Sequence, residues 1–119
     1  MEVVNINIPN HEYKVFIDKG VSDKIASFLI NLSKNQKVLI VTDSYFKDKH
    51  AKFLFNSLSS KGLSPHIYAM KGGKISKTFS EALRIYGELE TENFARDSVL
   101  IALGGGVVGD LAGFVASTW

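Results

Sequence analysis

Cysteine is absent from the 119 residues, which removes disulfides, thiolate zinc sites and thiol nucleophiles together. Strong charge of either sign is missing as well, since 14 basic and 12 acidic residues leave a formal net charge of +2. The basic residues are scattered, so there is no electrostatic footprint for nucleic acid, while small phosphorylated ligands stay within reach. Met1 to Ile6 holds no basic segment followed by an apolar stretch, so no signal peptide is expected and a cytoplasmic location is the default. Proline occurs only twice, and neither it nor glycine is enriched in the way that marks disorder; there is no internal repeat or low-complexity tract. What remains is 45% hydrophobic in a chain of one domain's length, the makeup of a globular domain with a modest core.

The most informative stretch runs from Ser98 to Trp119. Val99 to Leu103 is a continuous apolar run of the length and β-branching expected for a strand buried on both faces. Gly104, Gly105 and Gly106 then allow a sharp turn and a close backbone approach to a ligand. Val107, Val108, Leu111, Ala112, Val115 and Ala116 predict a helix apolar on nearly every side, hence a buried one. Within it, Gly109, Ala112, Gly113 and Ala116 predict a small-residue face packed on the sheet. Strand, glycine turn and helix make the layout of a phosphate site, because the first helical N–H groups lack intrahelical partners and the helix dipole favours an anion. Asp110 is the single charged residue in the stretch. It either complements the dipole in the first turns of the helix or accepts a hydrogen bond from a ligand lying across the glycine turn. A transmembrane reading fails, since three glycines and an Asp fall near the middle of the run and no basic flank follows.

Upstream, Val3–Ile8 and Tyr13–Ile17 alternate apolar and polar residues about Pro9-Asn10-His11, which predicts an antiparallel strand pair. Ile25, Phe28, Leu29 and Leu32 repeat at helical spacing after Gly20 or Ser22. Lys37 to Thr42 reads as a second buried strand. Phe46, His50, Phe53, Leu54 and Leu58 mark one face of a helix ending near Gly62. Leu63 to Met70 is a third strand, with Pro65 near its start. After the loop Lys71–Lys77, Thr78 or Ser76 caps a helix whose predicted face is Phe79, Ala82, Leu83, Tyr86 and Leu89. The alternation defines the fold class as α/β: a Rossmann-like open parallel sheet with helices on both faces and an N-terminal antiparallel strand pair.

In such sheets ligands gather beyond the carboxyl ends of the strands. Three loops qualify: Asp43-Ser44-Tyr45, Lys71 to Lys77, and Gly104 to Asp110. Asp43 can hold ribose hydroxyls or serve as a helix N-cap, and the residues alone do not separate the two. Gly72-Gly73 with Lys71, Lys74 and Lys77 offers flexible backbone and positive charge, or an ordinary solvated turn. His11, His50 and His66 lie on a turn, a helix and a strand without shared metal spacing and are read as structural.

The run from Gly104 to Thr118, GGGVVGDLAGFVAST, resembles the signature of the 3-dehydroquinate synthases, NAD-dependent cyclases of the shikimate pathway, and their sugar-phosphate-cyclase relatives. The family enzymes are considerably longer, so the resemblance implies that residues 1–119 are an N-terminal dinucleotide-binding domain, incomplete and without the C-terminal metal- and substrate-binding domain. It implies cofactor contacts at Asp43, Gly72, Gly73, Lys74, Lys77, Gly105, Gly106, Val107 and Asp110. The family's Gly-Glu-x-x-Lys element stands here as Gly73-Lys-Ile-Ser-Lys77, with Lys74 in the place of the acid. That reversal leaves open a rearranged ribose contact, a preference for a phosphorylated ribose, or a lost site. Tyr45 stands where the family often has Asn, and His50 falls near a position that approaches the adenosine.

The reaction implied is conversion of 3-deoxy-D-arabino-heptulosonate 7-phosphate to 3-dehydroquinate and phosphate, a lyase step in aromatic amino acid biosynthesis. NAD is the implied cofactor, with zinc or another divalent metal whose ligands, like the catalytic residues, fall beyond Trp119. The implied partners are a phosphorylated keto acid and a second copy in a homodimer, with no nucleic acid and no membrane. This chain alone is expected to be inactive. Two alternatives stand beside this reading: a domain of a glycerol or iron-type NAD-dependent alcohol dehydrogenase, and a nonenzymatic nucleotide-binding module.

Overall fold

The computed structural model describes residues 1–30, 35–71 and 77–119. Strands β1 (Glu2–Ile6) and β2 (Tyr13–Ile17) pair antiparallel, with Val4 opposite Val15. β1 ends two residues earlier than the alternation suggests, and Ile8 instead accepts the turn's closing hydrogen bond from His11 N at 2.8 Å. Most of this hairpin is exposed. Among the described residues, its ring contact is Phe16 stacked on Phe28 of α1 (Ile25–Leu29), with centroids 4.6 Å apart. Leu32, predicted on the same helical face, lies outside the described residues.

The main sheet has the strand order β4 (Ser64–Met70), β3 (Lys37–Asp43), β5 (Val99–Ala102), all parallel. Val38 to Thr42 of β3 are completely buried, as expected for a central strand of β-branched and aliphatic residues covered on both faces. Alternate side chains serve opposite cores, because successive Cβ atoms point to opposite faces. Val38 and Ile40 pack with Ala26, Ala51, Leu54 and Leu58 on the side of α1 and α2 (Lys52–Ser60). Leu39 and Val41 pack with Ala82, Ile85, Leu89, Val108, Leu111 and Val115 on the side of α3 (Phe79–Thr91) and α4 (Gly106–Thr118). Burying each such aliphatic side chain stabilises the fold by about 1.5–3 kcal/mol.

The helix ends follow local chemistry. A π-helical stretch, Lys47–Ala51, leads into α2. That helix closes with Gly62 at φ 84°, its N–H donating to Ser59 O and that of Leu63 to Leu58 O, an αL termination for which glycine is favoured. Thr78 caps α3, its Oγ1 accepting from Glu81 N at 3.1 Å. Asn93, at φ 58°, ends α3, and Phe94 N donates to Leu89 O at 2.8 Å.

Three helical faces differ from the periodic reading. On α2, Phe53 is exposed while Leu54 and Leu58 are buried. On α3 the buried stripe is Ala82, Ile85 and Leu89, and the predicted face residues Phe79 and Leu83 are 79% and 67% exposed. α4 is buried on one side only. Gly109, Gly113 and Ala116 lie on its exposed side, and a Cβ added at either glycine would meet nothing within 4 Å. Of the predicted small-residue face only Ala112 packs inward. Apolar content alone could not distinguish a helix buried all round from one with a bare outer side.

Candidate functional site

The connections set up the site. The chain crosses from β3 to β4 through α2 on one face, then from β4 past β3 to β5 through α3 on the other face. Right-handed crossovers running in opposite directions require this exchange of faces. The loops leaving β3 and β5 therefore turn apart, toward α2 and toward α4, and open a crevice at the carboxyl end of the sheet. Two backbone hydrogen bonds hold its floor: Leu103 N donates to Val41 O at 2.9 Å, and Ser44 N to Met70 O at 2.9 Å. Ser44 Oγ donates to Lys71 O at 2.7 Å and ties the first two loops together.

Gly104 is the pivot of the glycine turn. Its φ is 145°, and a Cβ there would lie 3.1 Å from Val108 Cγ2 and 3.3 Å from Phe46 Cδ2. Gly105 and Gly106 face open space. Gly105 is the N-cap of α4 and offers no side-chain cap, so Gly106, Val107 and Val108 begin the helix with N–H groups that have no intrahelical partner. Val107 is half-buried and Val108 is buried. The turn thus presents a helix N-terminus that no side chain among the described residues caps.

Asp43 ends β3. Its Oδ1 accepts from Tyr45 N at 3.0 Å and Phe46 N at 3.2 Å, so the capping role is realised at one oxygen while Oδ2 has no partner among the described residues. Asp110 is not in an apolar setting. It projects from the second turn of α4 on the exposed side, 62% exposed, and pairs with Lys77 through a 2.8 Å contact between Lys77 Nζ and Asp110 Oδ2. Asp110 sits just past the first turn of α4, where the dipole's effect has weakened, and Lys77 supplies its direct partner. Lys77 and Asp110, 33 positions apart, are brought together directly, while the contacts of Asp43 are with its own loop. Gly72, Gly73 and Lys74 lie outside the described residues.

Beside the loop after β4, Glu81 is 7% exposed yet fully engaged. Oε1 accepts from Tyr68 OH, and Oε2 accepts from Arg84 NH1 at 2.8 Å. Burial first, then the hydrogen bond and negative charge of Glu81, push the Tyr68 phenol well above its ordinary value. This network anchors the start of α3 to β4. Sequence reasoning missed it, together with the approach of the Phe46 ring to Gly104, because neither forms a motif.

A parallel sheet of this order, with helices on both faces and a glycine turn at the point where chain direction reverses, defines a Rossmann-like α/β domain. A sequence model of the family described as 3-dehydroquinate synthase N-terminal matches residues 67–119. Among curated proteins, the 3-dehydroquinate synthase of Streptococcus agalactiae serotype III is 40% identical over 116 residues, covering 98% of this chain and 33% of that protein. The 3-dehydroquinate synthase of Desulforamulus reducens is 37% identical over 119 residues, covering 100% and 33%. A crystal structure of 2-deoxy-scyllo-inosose synthase complexed with carbaglucose-6-phosphate, NAD+ and Co2+ superposes with a TM-score of 0.85 at 20% identity, covering 99% of this chain and 32% of that one. At that identity the superposition shows the fold. Over nearly its whole length the chain is similar to 3-dehydroquinate synthases, and it spans about a third of the length of the curated relatives it matches.

Proposed function

We propose that this chain forms the NAD-binding part of a 3-dehydroquinate synthase, which converts 3-deoxy-D-arabino-heptulosonate 7-phosphate to 3-dehydroquinate and phosphate. The observation that supports the reading is that Asp43 at the end of β3, the glycine turn into α4 and the Lys77–Asp110 pair all lie at the carboxyl end of the parallel sheet. The residues fit the cofactor's chemistry. A pyrophosphate requires N–H donors not shielded by side chains, and Gly105 and Gly106 leave that space open. Ribose hydroxyls require an acceptor, and Asp43 retains Oδ2 after its Oδ1 has been taken by the loop. Lys77 and Asp110 tie the residue that precedes Thr78, the cap of α3, to α4 and present one positive and one negative group at the rim.

When bound, NAD supplies reversible hydride transfer at an alcohol of the substrate. This chain's own residues bind and orient: α4 receives the negative charge, Asp43 fixes a sugar, and the Lys77–Asp110 pair sets the spacing between loop and helix. The divalent metal, the phosphorylated keto acid and the homodimer contact belong on this reading to the remaining length of the parent protein. No described residue is assigned to them.

Calorimetric titration of the folded chain with NAD, NADP and ADP tests the proposal. NAD binding that Asp110→Asn weakens several-fold, with the thermal midpoint unchanged, is the expected result. A folded chain that binds no dinucleotide, and gains none on Lys74→Glu, refutes it.

A further inference from the structure

Away from the crevice, toward the other end of the sheet, β4 and the end of α3 bring together three side chains. His66 Nε2 lies 2.8 Å from Glu88 Oε2, and one ligand atom from each of His66, Glu88 and Glu92 falls within 4.8 Å of the others. We propose that His66, Glu88 and Glu92 form a binding site for a first-row transition dication of the zinc type, independent of the dinucleotide crevice.

The argument begins with placement. Glu88 and Glu92 are four residues apart along α3, a spacing at which like charges repel. They stand in its last turn and at its C-cap, where the helix dipole disfavours negative charge, and that last turn holds no basic residue. Neighbouring cations do not resolve the conflict. Arg84 is engaged with Glu81, and Lys37 Nζ donates to the backbone carbonyl of Glu92. The Glu92 carboxylate has no ion-pair partner among the described residues, and a protonated His66 offers a single charge, already in contact with Glu88.

A dication answers both carboxylates at once and takes the imidazole as a neutral donor. One nitrogen and two carboxylate oxygens suit zinc, cobalt, nickel or copper, whereas magnesium and calcium favour oxygen alone. A tetrahedral ion with bonds of about 2.0–2.2 Å places its ligands roughly 3.4 Å apart, so small rotations of the half-buried His66 and Glu88 and the exposed Glu92 close the site. A strand and a helix packed on one core supply the donors, and the remaining coordination position falls to water. Spacing in the sequence could not show this set, because His66 is 22 residues from Glu88.

The test is titration of the chain with zinc chloride in a non-coordinating buffer, by calorimetry and by two-dimensional amide NMR. One zinc per chain is expected, with shifts confined to β4 and the end of α3. His66→Gln and Glu92→Gln should each weaken binding by roughly tenfold or more, while His50→Gln leaves it unchanged and magnesium does not compete. Glu92 is exposed, so its variant keeps the test valid should His66→Gln fail to fold. No saturable zinc binding, binding indifferent to Glu92→Gln, or shifts centred elsewhere would overturn the proposal.

Discussion

Gly104→Ala isolates what the glycine turn contributes to the fold itself. At φ 145° an L side chain is strained by about 1–3 kcal/mol. The new Cβ would also sit 3.1 Å from Val108 Cγ2 and 3.3 Å from Phe46 Cδ2. Val108 is 1% exposed and cannot retreat into solvent, so overpacking adds about 1–3 kcal/mol. The sum, roughly 2–6 kcal/mol, is a large fraction of the ~5–15 kcal/mol that holds a domain together. For a chain of this size, at about 4 °C per kcal/mol, that corresponds to a fall of roughly 8–24 °C in the melting midpoint. Urea and thermal unfolding followed by far-UV circular dichroism measure it. Gly105→Ala is the control, since φ there is −75° and its Cβ would meet nothing within 4 Å. Its stability should change by less than about 1 kcal/mol, a small capping loss set against reduced freedom in the unfolded chain. Equal melting of Gly104→Ala and the parent chain, or of the two variants, refutes the reasoning.

Tyr68→Phe should cost about 1 kcal/mol at neutral pH, by deleting the hydrogen bond to Glu81. Because the folded phenol ionises above the ordinary value of 10.0, both states keep the proton below that pH and the stability is fully present there. Above it the unfolded chain releases its proton first and stability falls as pH rises. The variant should flatten that alkaline decline in unfolding curves taken at successive pH values; an unaltered slope counts against the assignment. Phe16→Ala removes the ring stack that seats the hairpin on α1. A two-stranded sheet is marginal in water, so amide exchange in β1 and β2 should accelerate toward the unfolded rate while β3 keeps its protection. Continued protection of the hairpin would show that the stack is not its anchor.

The strand alternation was legible because parallel strands are apolar runs. Val38–Val41 is buried as that reading expects. Val99–Leu103, read as buried on both faces, instead forms an edge strand that ends at Ala102 and is only half-buried, because no further strand or helix among the described residues covers its outer side. The glycine turn was legible for the same local reason. Helical faces were less so: Phe79 and Leu83 keep helical spacing with Ala82, yet the sheet takes Ala82 and Ile85 and leaves both larger residues outside. Spacing gives the phase of an apolar stripe only when one side is clearly polar. α4 shows the limit, since its exposed side carries glycine, alanine and Phe114 alongside Asp110. The two uses of Asp43 were equally readable beforehand, and geometry alone assigned Oδ1 to the loop. Contacts between distant segments, such as Lys77 with Asp110 and His66 with Glu88, depend on topology and leave no mark in local sequence.

The strand order also bears on how the chain is made. β3 sits between two partners that reach it at different times, since β4 ends at Met70 and β5 at Ala102. Synthesis at about 5–20 residues per second separates their arrival by roughly two to six seconds. During that interval one edge of Val38–Val41 has no strand beside it, and the α3–α4 core has not closed over Leu39 and Val41. An unpaired, apolar, β-branched edge is the kind that pairs with other chains. The nascent protein is thus most prone to misassociation between the completion of β4 and the docking of β5, a window set by the order of the strands rather than by their stability.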